Sequence, residues 1–283
     1  MSSTATPATT YRLVRAGTEV DVPVLDDRQR AVVEHRQGPL LVLAGPGTGK
    51  TTTLVEAVVD RVQQGARPDS VLALTFSRKA AQQLRDRITG RLGRTTSATA
   101  CSTFHSFAYA LVRRFAPAEL YAAPLRLLSA PEQDVVLAEL LADTPESVRW
   151  PESLTAAVRT RGFAREVQAV LARARERGLD PEDLVALGRA ESVPELEAAG
   201  LFMAQYLDVL GSQSALDYAD LLSRAVVEAD RHRDTLRAEY SHVFVDEYQD
   251  TDPSQVQLLQ ILAGDGRNLV AVGDPDQSIY GFR

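Results

Sequence analysis

Short apolar runs alternate with helical patterns in the first and last thirds of the chain. The run Leu40–Leu43 is typical of a strand, and Leu54, Val55 and Val58 follow it at the spacing of one helix face. Repeated units of this kind indicate a parallel sheet that is covered by helices. The predicted strands are 40–43, 71–75, 98–102, 242–245 and 268–272, and the predicted helices are 29–33 with Asp26 as the cap, 50–65, 78–92, 104–115 and 253–262.

The alternation stops between residues 116 and 214, where helical patterns are separated by prolines and glycines. We therefore predict an α/β fold whose parallel sheet is split in sequence by an inserted α-helical subdomain. Trp150 and Met203 are expected in the core of that subdomain. The predicted segments are a disordered tail at 1–20, a first α/β part at 21–115, the inserted subdomain at 116–214 and a second α/β part at 215–283.

Composition places the chain among globular proteins. Of its 283 residues, 45% are hydrophobic and 24% are charged. Cys101 is the only cysteine, which excludes a disulfide framework and fits a reducing compartment, so we expect a cytoplasmic location. No apolar stretch approaches the length of a bilayer span, and we expect no membrane partner.

The distribution of charge modifies what the net charge implies. A net charge of −7 argues, taken alone, against binding to nucleic acid. However, basic residues are concentrated between Arg78 and Arg94 and again between Arg149 and Arg177. The second group fits solvated helix faces as well as it fits contacts with DNA.

A glycine-rich turn joins the strand at 40–43 to the helix that follows. Backbone N–H groups of such a turn surround phosphate oxygens, and the helix N-terminus adds partial positive charge. Lys50 is placed to reach the terminal phosphates, and the Thr51 hydroxyl can ligate Mg²⁺. One departure is that Ala44 stands where the usual pattern has glycine. The predicted nucleotide-binding residues of this segment are Ala44, Gly45, Pro46, Gly47, Thr48, Gly49, Lys50, Thr51 and Thr52.

Lysine usage draws attention to two positions. Among 31 basic residues, lysine occurs only at Lys50 and Lys79. A compact ammonium suits a tight phosphate cradle better than the planar guanidinium of arginine does. Lys79 is therefore a second candidate binding residue.

An acidic pair follows the apolar strand at 242–245. Asp246 and Glu247 stand at its carboxyl end, where ligands of open α/β sheets bind. Asp246 suits the coordination of Mg²⁺, and Glu247 is placed to polarise an attacking water. Together with the phosphate loop, this pair favours hydrolysis of ATP.

Seven segments occur in the order of a known family's motifs. They are LDDRQRAV, AGPGTGKT, LTFSRKAA, STFHSF, LDYADLL, VDEYQDT and VGDPDQSIYGFR, which together extend from about Leu25 to Arg283. By these motifs the chain resembles the N-terminal motor part of UvrD/PcrA/Rep-type superfamily 1 DNA helicases, domains 1A and 1B.

The resemblance implies an α/β fold of the RecA-like P-loop NTPase type and a 3′-to-5′ ATP-dependent DNA helicase or translocase of the repair or recombination class. ATP with Mg²⁺, single-stranded DNA and single-strand/duplex junctions are the implied ligands, whereas protein partners are not specified. Gln29 resembles the residue that reads adenine, and Gln277 resembles the γ-phosphate sensor. The implied catalytic residues are Lys50, Asp246, Glu247 and Gln277, the implied metal ligands are Thr51 and Asp246, and the implied DNA-binding residues are Thr75, Phe76, Lys79, His105, Tyr280, Phe282 and Arg283.

Some positions depart from the family pattern. Thr52 stands where an arginine commonly stacks on adenine, Ser77 and Arg78 replace Thr-Asn, and Phe282 replaces tryptophan. The second RecA-like domain of the family does not follow, so we expect the chain to be a fragment. Two alternatives stay open, namely the motor part of a RecB-like helicase–nuclease and a nucleotide-binding module without turnover.

Overall fold

A computed structural model of the protein describes residues 22–93, 99–115, 125–145, 147–264 and 268–278. The strands are β1 (Leu40–Leu43), β2 (Val71–Thr75), β3 (Ala100–Thr103), β4 (Arg126–Leu127), β5 (Ala215–Leu216), β6 (His242–Val245) and β7 (Asn268–Gly273). Five of them form one parallel sheet in the order β1-β7-β6-β2-β3. The fold class predicted from the sequence is confirmed.

Helices cover both faces of the sheet, because successive residues of its strands point to opposite sides. In β2, Val71 and Ala73 belong to one buried cluster, whereas Leu72 and Leu74 belong to another. This explains why β2 is apolar throughout rather than alternating. The helices are α1 (Asp27–Glu34), α2 (Lys50–Gln63), α3 (Arg78–Leu92), α4 (Phe104–Phe115), α5 (Ala130–Ala142), α6 (Arg161–Glu176), α7 (Pro181–Ala190), α8 (Pro194–Ser212), α9 (Tyr218–Arg231), α10 (Arg233–Glu239) and α11 (Pro253–Ala263).

Local signals set the ends of these helices. At α1, Asp26 accepts from the backbone N–H of Gln29 while the Gln29 side chain accepts from the backbone of Asp26, which is a capping box. Ser77 caps α3 in a similar way, and Gly93 ends it in the left-handed conformation with φ 65°. These caps agree with the helix starts predicted from the sequence.

The helices between β4 and β5 bury a core of their own. Leu137, Phe163, Phe202 and Tyr206 lie in this cluster, which is separate from the two clusters on the sheet. As predicted, Met203 is 1% exposed in it and Trp150 packs at its margin. β4 and β5 pair in parallel where the chain enters and leaves this region. The domain boundaries predicted at 115/116 and 214/215 stay a prediction.

β1 lies at the edge of the sheet, and Leu41 and Leu43 are 54% and 64% exposed. The sequence did not predict this edge position, because strand order is not encoded in apolar spacing. Among the helices that the structure describes, none combines the length and apolar character that a membrane crossing requires. The predicted tail at 1–20 lies outside the described residues.

Candidate nucleotide site and nucleic-acid groove

The turn between β1 and α2 has a backbone that requires glycine at two positions. Gly47 and Gly49 have φ values of 73° and 80°, which side chains disfavour. Within the described residues, positive φ outside glycine occurs only at Ser192, Ser214 and Glu247, so Ala44 has no need of glycine's freedom. This accounts for the departure at the first position of the motif.

Lys50, the first residue of α2, has an ammonium group without a hydrogen bond. Its Nζ atom is buried and lies 3.8 Å from Oδ2 of Asp274. A buried cation that lacks hydrogen-bond acceptors is unstable relative to one that has them. Phosphate oxygens would supply those acceptors, and therefore the loop fits an anionic ligand.

Asp246 and Thr51 meet at the carboxyl end of β6. The Thr51 hydroxyl is hydrogen-bonded to Asp246, whose side chain is 6% exposed. Burial, followed by the adjacent Glu247 carboxylate, raises the pKa of Asp246 to about 6. A buried carboxylate beside a hydroxyl is an oxygen donor set that suits a hard divalent cation such as Mg²⁺. No cluster of three or more His, Cys, Asp or Glu side chains that could hold a metal occurs among the residues described.

Glu247 is held in an uncommon backbone conformation. Its φ of 57° and ψ of 44° are left-handed, which costs roughly 1–3 kcal/mol for a residue with a side chain. Its N–H donates to Oδ1 of Asp246 at 3.1 Å. Strain of this kind persists only where the surroundings enforce it, and it marks functional sites more often than other positions.

Two residues that the sequence did not single out connect this carboxylate to β7. Gln249 donates to Oε2 of Glu247 at 2.8 Å and accepts from the N–H of Asp274 at 2.9 Å. Asp274 in turn accepts a hydrogen bond from Gln277. Asp274 stands at the end of a parallel strand, as Asp246 does, and that shared position was the available signal.

Gln29 lies against the phosphate loop. Its Nε2 donates to the carbonyl of Thr48 at 2.9 Å, and its Oε1 accepts from the N–H of Asp26 at 3.0 Å. Gly49 makes this approach possible, because a Cβ there would lie 2.8 Å from Nε2 of Gln29. These bonds use one of the two protons on the amide nitrogen and one of the two lone pairs on the amide oxygen. One proton and one lone pair are left for a ligand. The predicted reading of adenine by Gln29 stays a prediction.

A groove of 1160 Å³ lies between the carboxyl end of the sheet and α6. Phe76, which follows β2, and His105, at the start of α4, line it. Both were predicted to contact nucleic acid, and that contact stays a prediction. Tyr218, which was not predicted, is 42% exposed there and packs edge-on against His105 with ring centroids 5.3 Å apart. The polar side chains that line the groove from α6 are Arg165, Gln168, Arg173, Arg175 and Glu176.

Two other predicted DNA-binding residues, Thr75 and Lys79, do not line the groove. Thr75 is 1% exposed, so its side chain is enclosed at the end of β2 rather than presented to the groove. Lys79 is exposed but does not line the groove. Tyr280, Phe282 and Arg283 lie outside the described residues.

Three arginines of the two basic groups serve the fold. Arg91 makes a two-pronged ion pair with Glu56 at 2.6 and 2.7 Å, and Arg85 donates to the carbonyl of Cys101. Arg175 is buried against Asp217 at 2.8 Å. For the second group the sequence left open solvated helix faces and contacts with DNA, and at Arg175 the structure shows an internal ion pair instead.

Known proteins resemble the chain over most of its length. The family model of the UvrD/REP helicase N-terminal domain matches residues 25–283. An ATP-dependent DNA helicase PcrA of Leuconostoc citreum is 29% identical over 92% of this chain and 33% of its own length. DNA helicase II of Escherichia coli (strain K12) is 29% identical over 92% of the chain and 34% of its own length.

A probable DNA helicase II homolog of Rickettsia felis is 30% identical over 93% of the chain and 39% of its own length. The chain thus spans about a third of the length of these curated relatives. The family model covers far more than half of the chain, and it includes both the phosphate loop and the acidic pair. The chain belongs to the family of the UvrD/REP helicase N-terminal domain.

Proposed function

We propose that the chain is the ATP- and single-stranded-DNA-binding motor portion of a 3′-to-5′ DNA helicase or translocase of the repair or recombination class. Its location is then the cytoplasm, where a single reduced cysteine is stable. The observation that carries the proposal is the adjacency of two sites. Asp246 of the nucleotide site and Phe76 of the groove follow the ends of two neighbouring strands, β6 and β2.

The adjacency is direct. The N–H of Asp246 on the end of β6 donates to the carbonyl of Leu74 in β2 at 2.9 Å. Phe76, two residues further along that chain segment, lines the groove. A displacement at the nucleotide site would therefore reach the groove through two residues of backbone, which is the coupling that a DNA motor requires.

The nucleotide site has groups for each part of ATP hydrolysis. Lys50 would neutralise the terminal phosphates, and Gln277 would contact the γ-phosphate from its position beside Asp274. Glu247 would orient the attacking water. Thr51 and Asp246 would hold Mg²⁺, which supplies charge neutralisation at the phosphate oxygens when bound.

The groove has groups for single-stranded DNA of any sequence. The rings of Phe76, His105 and Tyr218 line the groove, and bases would stack on their faces, a contact that tolerates all four bases. Arg165 and Arg173 on α6 face the same space and would contact phosphates. Contacts of Lys79, Tyr280, Phe282 and Arg283 with DNA stay part of the proposal on the family resemblance alone.

The deciding experiment is ATP turnover with and without single-stranded DNA, measured on the full natural protein that contains this sequence. We expect DNA to raise turnover, and we expect a partial duplex with a 3′ single-stranded tail to be unwound in preference to one with a 5′ tail. Nucleotide binding without turnover would instead establish a binding module. Preferential unwinding of the substrate with the 5′ tail would overturn the proposed 3′-to-5′ polarity.

A further inference from the structure

Gln249 lies between the hydrolytic side of the nucleotide site and its phosphate-sensing side. It belongs to a short 3₁₀ helix, Tyr248–Asp250, that follows β6. Its Nε2 donates to Oε2 of Glu247 at 2.8 Å, and its Oε1 accepts from the N–H of Asp274 at 2.9 Å. One amide thus connects the ends of β6 and β7, which are neighbouring strands of the sheet.

An amide side chain of this length can make both bonds because it has a donor and an acceptor. A carboxylate has no proton to donate to Glu247, and a lysine or arginine has no lone pair to accept from the N–H of Asp274. The arrangement also requires that β7 end in glycine. A Cβ on Gly273 would lie 2.8 Å from Oε1 of Gln249 and 3.2 Å from its backbone nitrogen.

The far end of this bridge is connected to the phosphate side of the site. Asp274 is 4% exposed, accepts from Nε2 of Gln277 and has Oδ2 3.8 Å from Nζ of Lys50. Its backbone, held by Gln249, sets where this carboxylate stands. Gln249 therefore connects Glu247, which is proposed to orient water, with Asp274. Asp274 in turn contacts Lys50 and Gln277, the proposed sensor.

At its other end, the bridge restrains the side chain of Glu247, which would otherwise be mobile. Glu247 has three side-chain torsions and a left-handed backbone, and its carboxylate is only partly buried. A general base must lie within hydrogen-bond reach of the water that it activates. The bond from Gln249 selects one orientation of that carboxylate.

We propose that Gln249 is a positioning residue that fixes the Glu247 carboxylate for hydrolysis and ties its orientation to Asp274. This inference rests on the proposed function. It assigns Gln249 no contact with nucleotide, so its loss should slow turnover and leave nucleotide affinity unchanged.

The test is a double-mutant cycle on DNA-stimulated ATP turnover in the full natural protein. We expect Gln249→Ala to lower kcat roughly 10- to 100-fold, the usual effect of removing a group that orients a reacting one. The KM for ATP and the affinity for Mg²⁺-ADP should stay within about twofold. In a Glu247→Gln background, the same substitution should lower kcat by less than about twofold, because the carboxylate that it positions is already absent.

A matched control is Gln257→Ala, which removes an exposed glutamine of α11. It should leave kcat and KM unchanged. Equal effects of Gln249→Ala in both backgrounds, an unchanged kcat, or parallel losses of kcat and nucleotide affinity would each overturn the inference. A wild-type protein without DNA-stimulated turnover would instead overturn the proposed function, so the two failures are distinguishable.

A second pair of variants tests the inference even if Gln249→Ala fails to fold. Gln249→Glu places two carboxylates at hydrogen-bond distance and should lower the melting temperature. Adding Glu247→Gln reverses donor and acceptor, restores the bond and leaves the acceptor for the N–H of Asp274 in place. We expect the double variant to recover the wild-type melting temperature. A lower value would contradict the hydrogen bond between the side chains at positions 247 and 249.

Discussion

Arg175 on α6 donates to Oδ1 of Asp217 at 2.8 Å, and both side chains are almost completely buried. Asp217 also accepts from the hydroxyl of Tyr206 at 2.9 Å, from Nε2 of Gln133 at 3.0 Å and from the N–H of Asp220 at 2.8 Å. These donors come from α8, α5 and α9. With Arg175 of α6, the carboxylate therefore connects α5, α6 and α8 to the N-terminus of α9.

Loss of that carboxylate should destabilise the protein strongly. Asp217→Asn leaves Arg175 buried without its counter-charge, and breaking a buried pair in this way costs about 3–5 kcal/mol. Urea unfolding of the variant measures this change. The control Arg189→Ala removes an exposed partner of Glu197 and should change stability by less than about 1 kcal/mol. Equal midpoints for the two variants would contradict the structural role of Asp217.

Lys50→Ala should remove measurable binding of ATP while the fold persists. The substitution deletes the cation that would contact phosphate, and it also removes a buried ammonium that has no hydrogen bond. Loss of the 3.8 Å ion pair with Asp274 acts in the opposite direction, so we expect a melting temperature close to that of the wild type. Titration with a fluorescent nucleotide and a thermal scan measure the two effects.

The matched control for Lys50 is the other lysine of the chain. Lys79 is exposed on the first turn of α3, and Lys79→Ala should leave nucleotide affinity unchanged. Unaltered binding in Lys50→Ala, or a loss of equal size in both variants, would show that the phosphate site lies elsewhere.

Local sequence signals predicted the strands closely, whereas contacts between distant segments were not predictable. β2 and β6 have the predicted bounds because turn and cap residues flank unbroken apolar runs. Gln249 and Asp274 are 25 residues apart and meet only because β6 and β7 are neighbours. Arg175 stands in a group of arginines that fitted solvated helix faces and contacts with DNA equally well, and its partner Asp217 is 42 residues away.

Cys101 should be chemically protected in the native protein. It is 2% exposed on β3, and burial raises the pKa of its thiol to about 11, with partial compensation from the Arg85 guanidinium. Because the thiolate is the reactive form, native protein at pH 8 should react with iodoacetamide far more slowly than protein in urea. Similar rates in both states would contradict burial of the thiol.

The same shift has a consequence for stability. The folded-state pKa lies above the ordinary value of 9.0, so the native state retains a proton that the unfolded chain releases. This contribution is fully present below about pH 9 and is lost as the pH rises towards 11. Cys101→Ser should flatten the decline of stability in that window when urea midpoints are compared between pH 8 and pH 11.

Phe76→Ala should weaken single-stranded DNA binding by roughly 1–3 kcal/mol with little dependence on base sequence, since stacking rather than edge reading would hold the bases. The same effect is expected for Phe282→Ala. Fluorescence anisotropy with mixed-sequence oligonucleotides measures it. Phe115→Ala is the control, because Phe115 stacks on His232 outside the groove lining with ring centroids 4.2 Å apart.

Salt dependence separates the two kinds of groove contact. Arg165 on the opposite wall would neutralise a phosphate, so Arg165→Ala should reduce the slope of log affinity against log salt by about 1. Phe76→Ala should lower affinity at every salt concentration and leave that slope unchanged, because stacking releases no counterions. A slope altered by the phenylalanine variant, or an affinity altered by neither variant, would place the DNA path outside the groove between the sheet and α6.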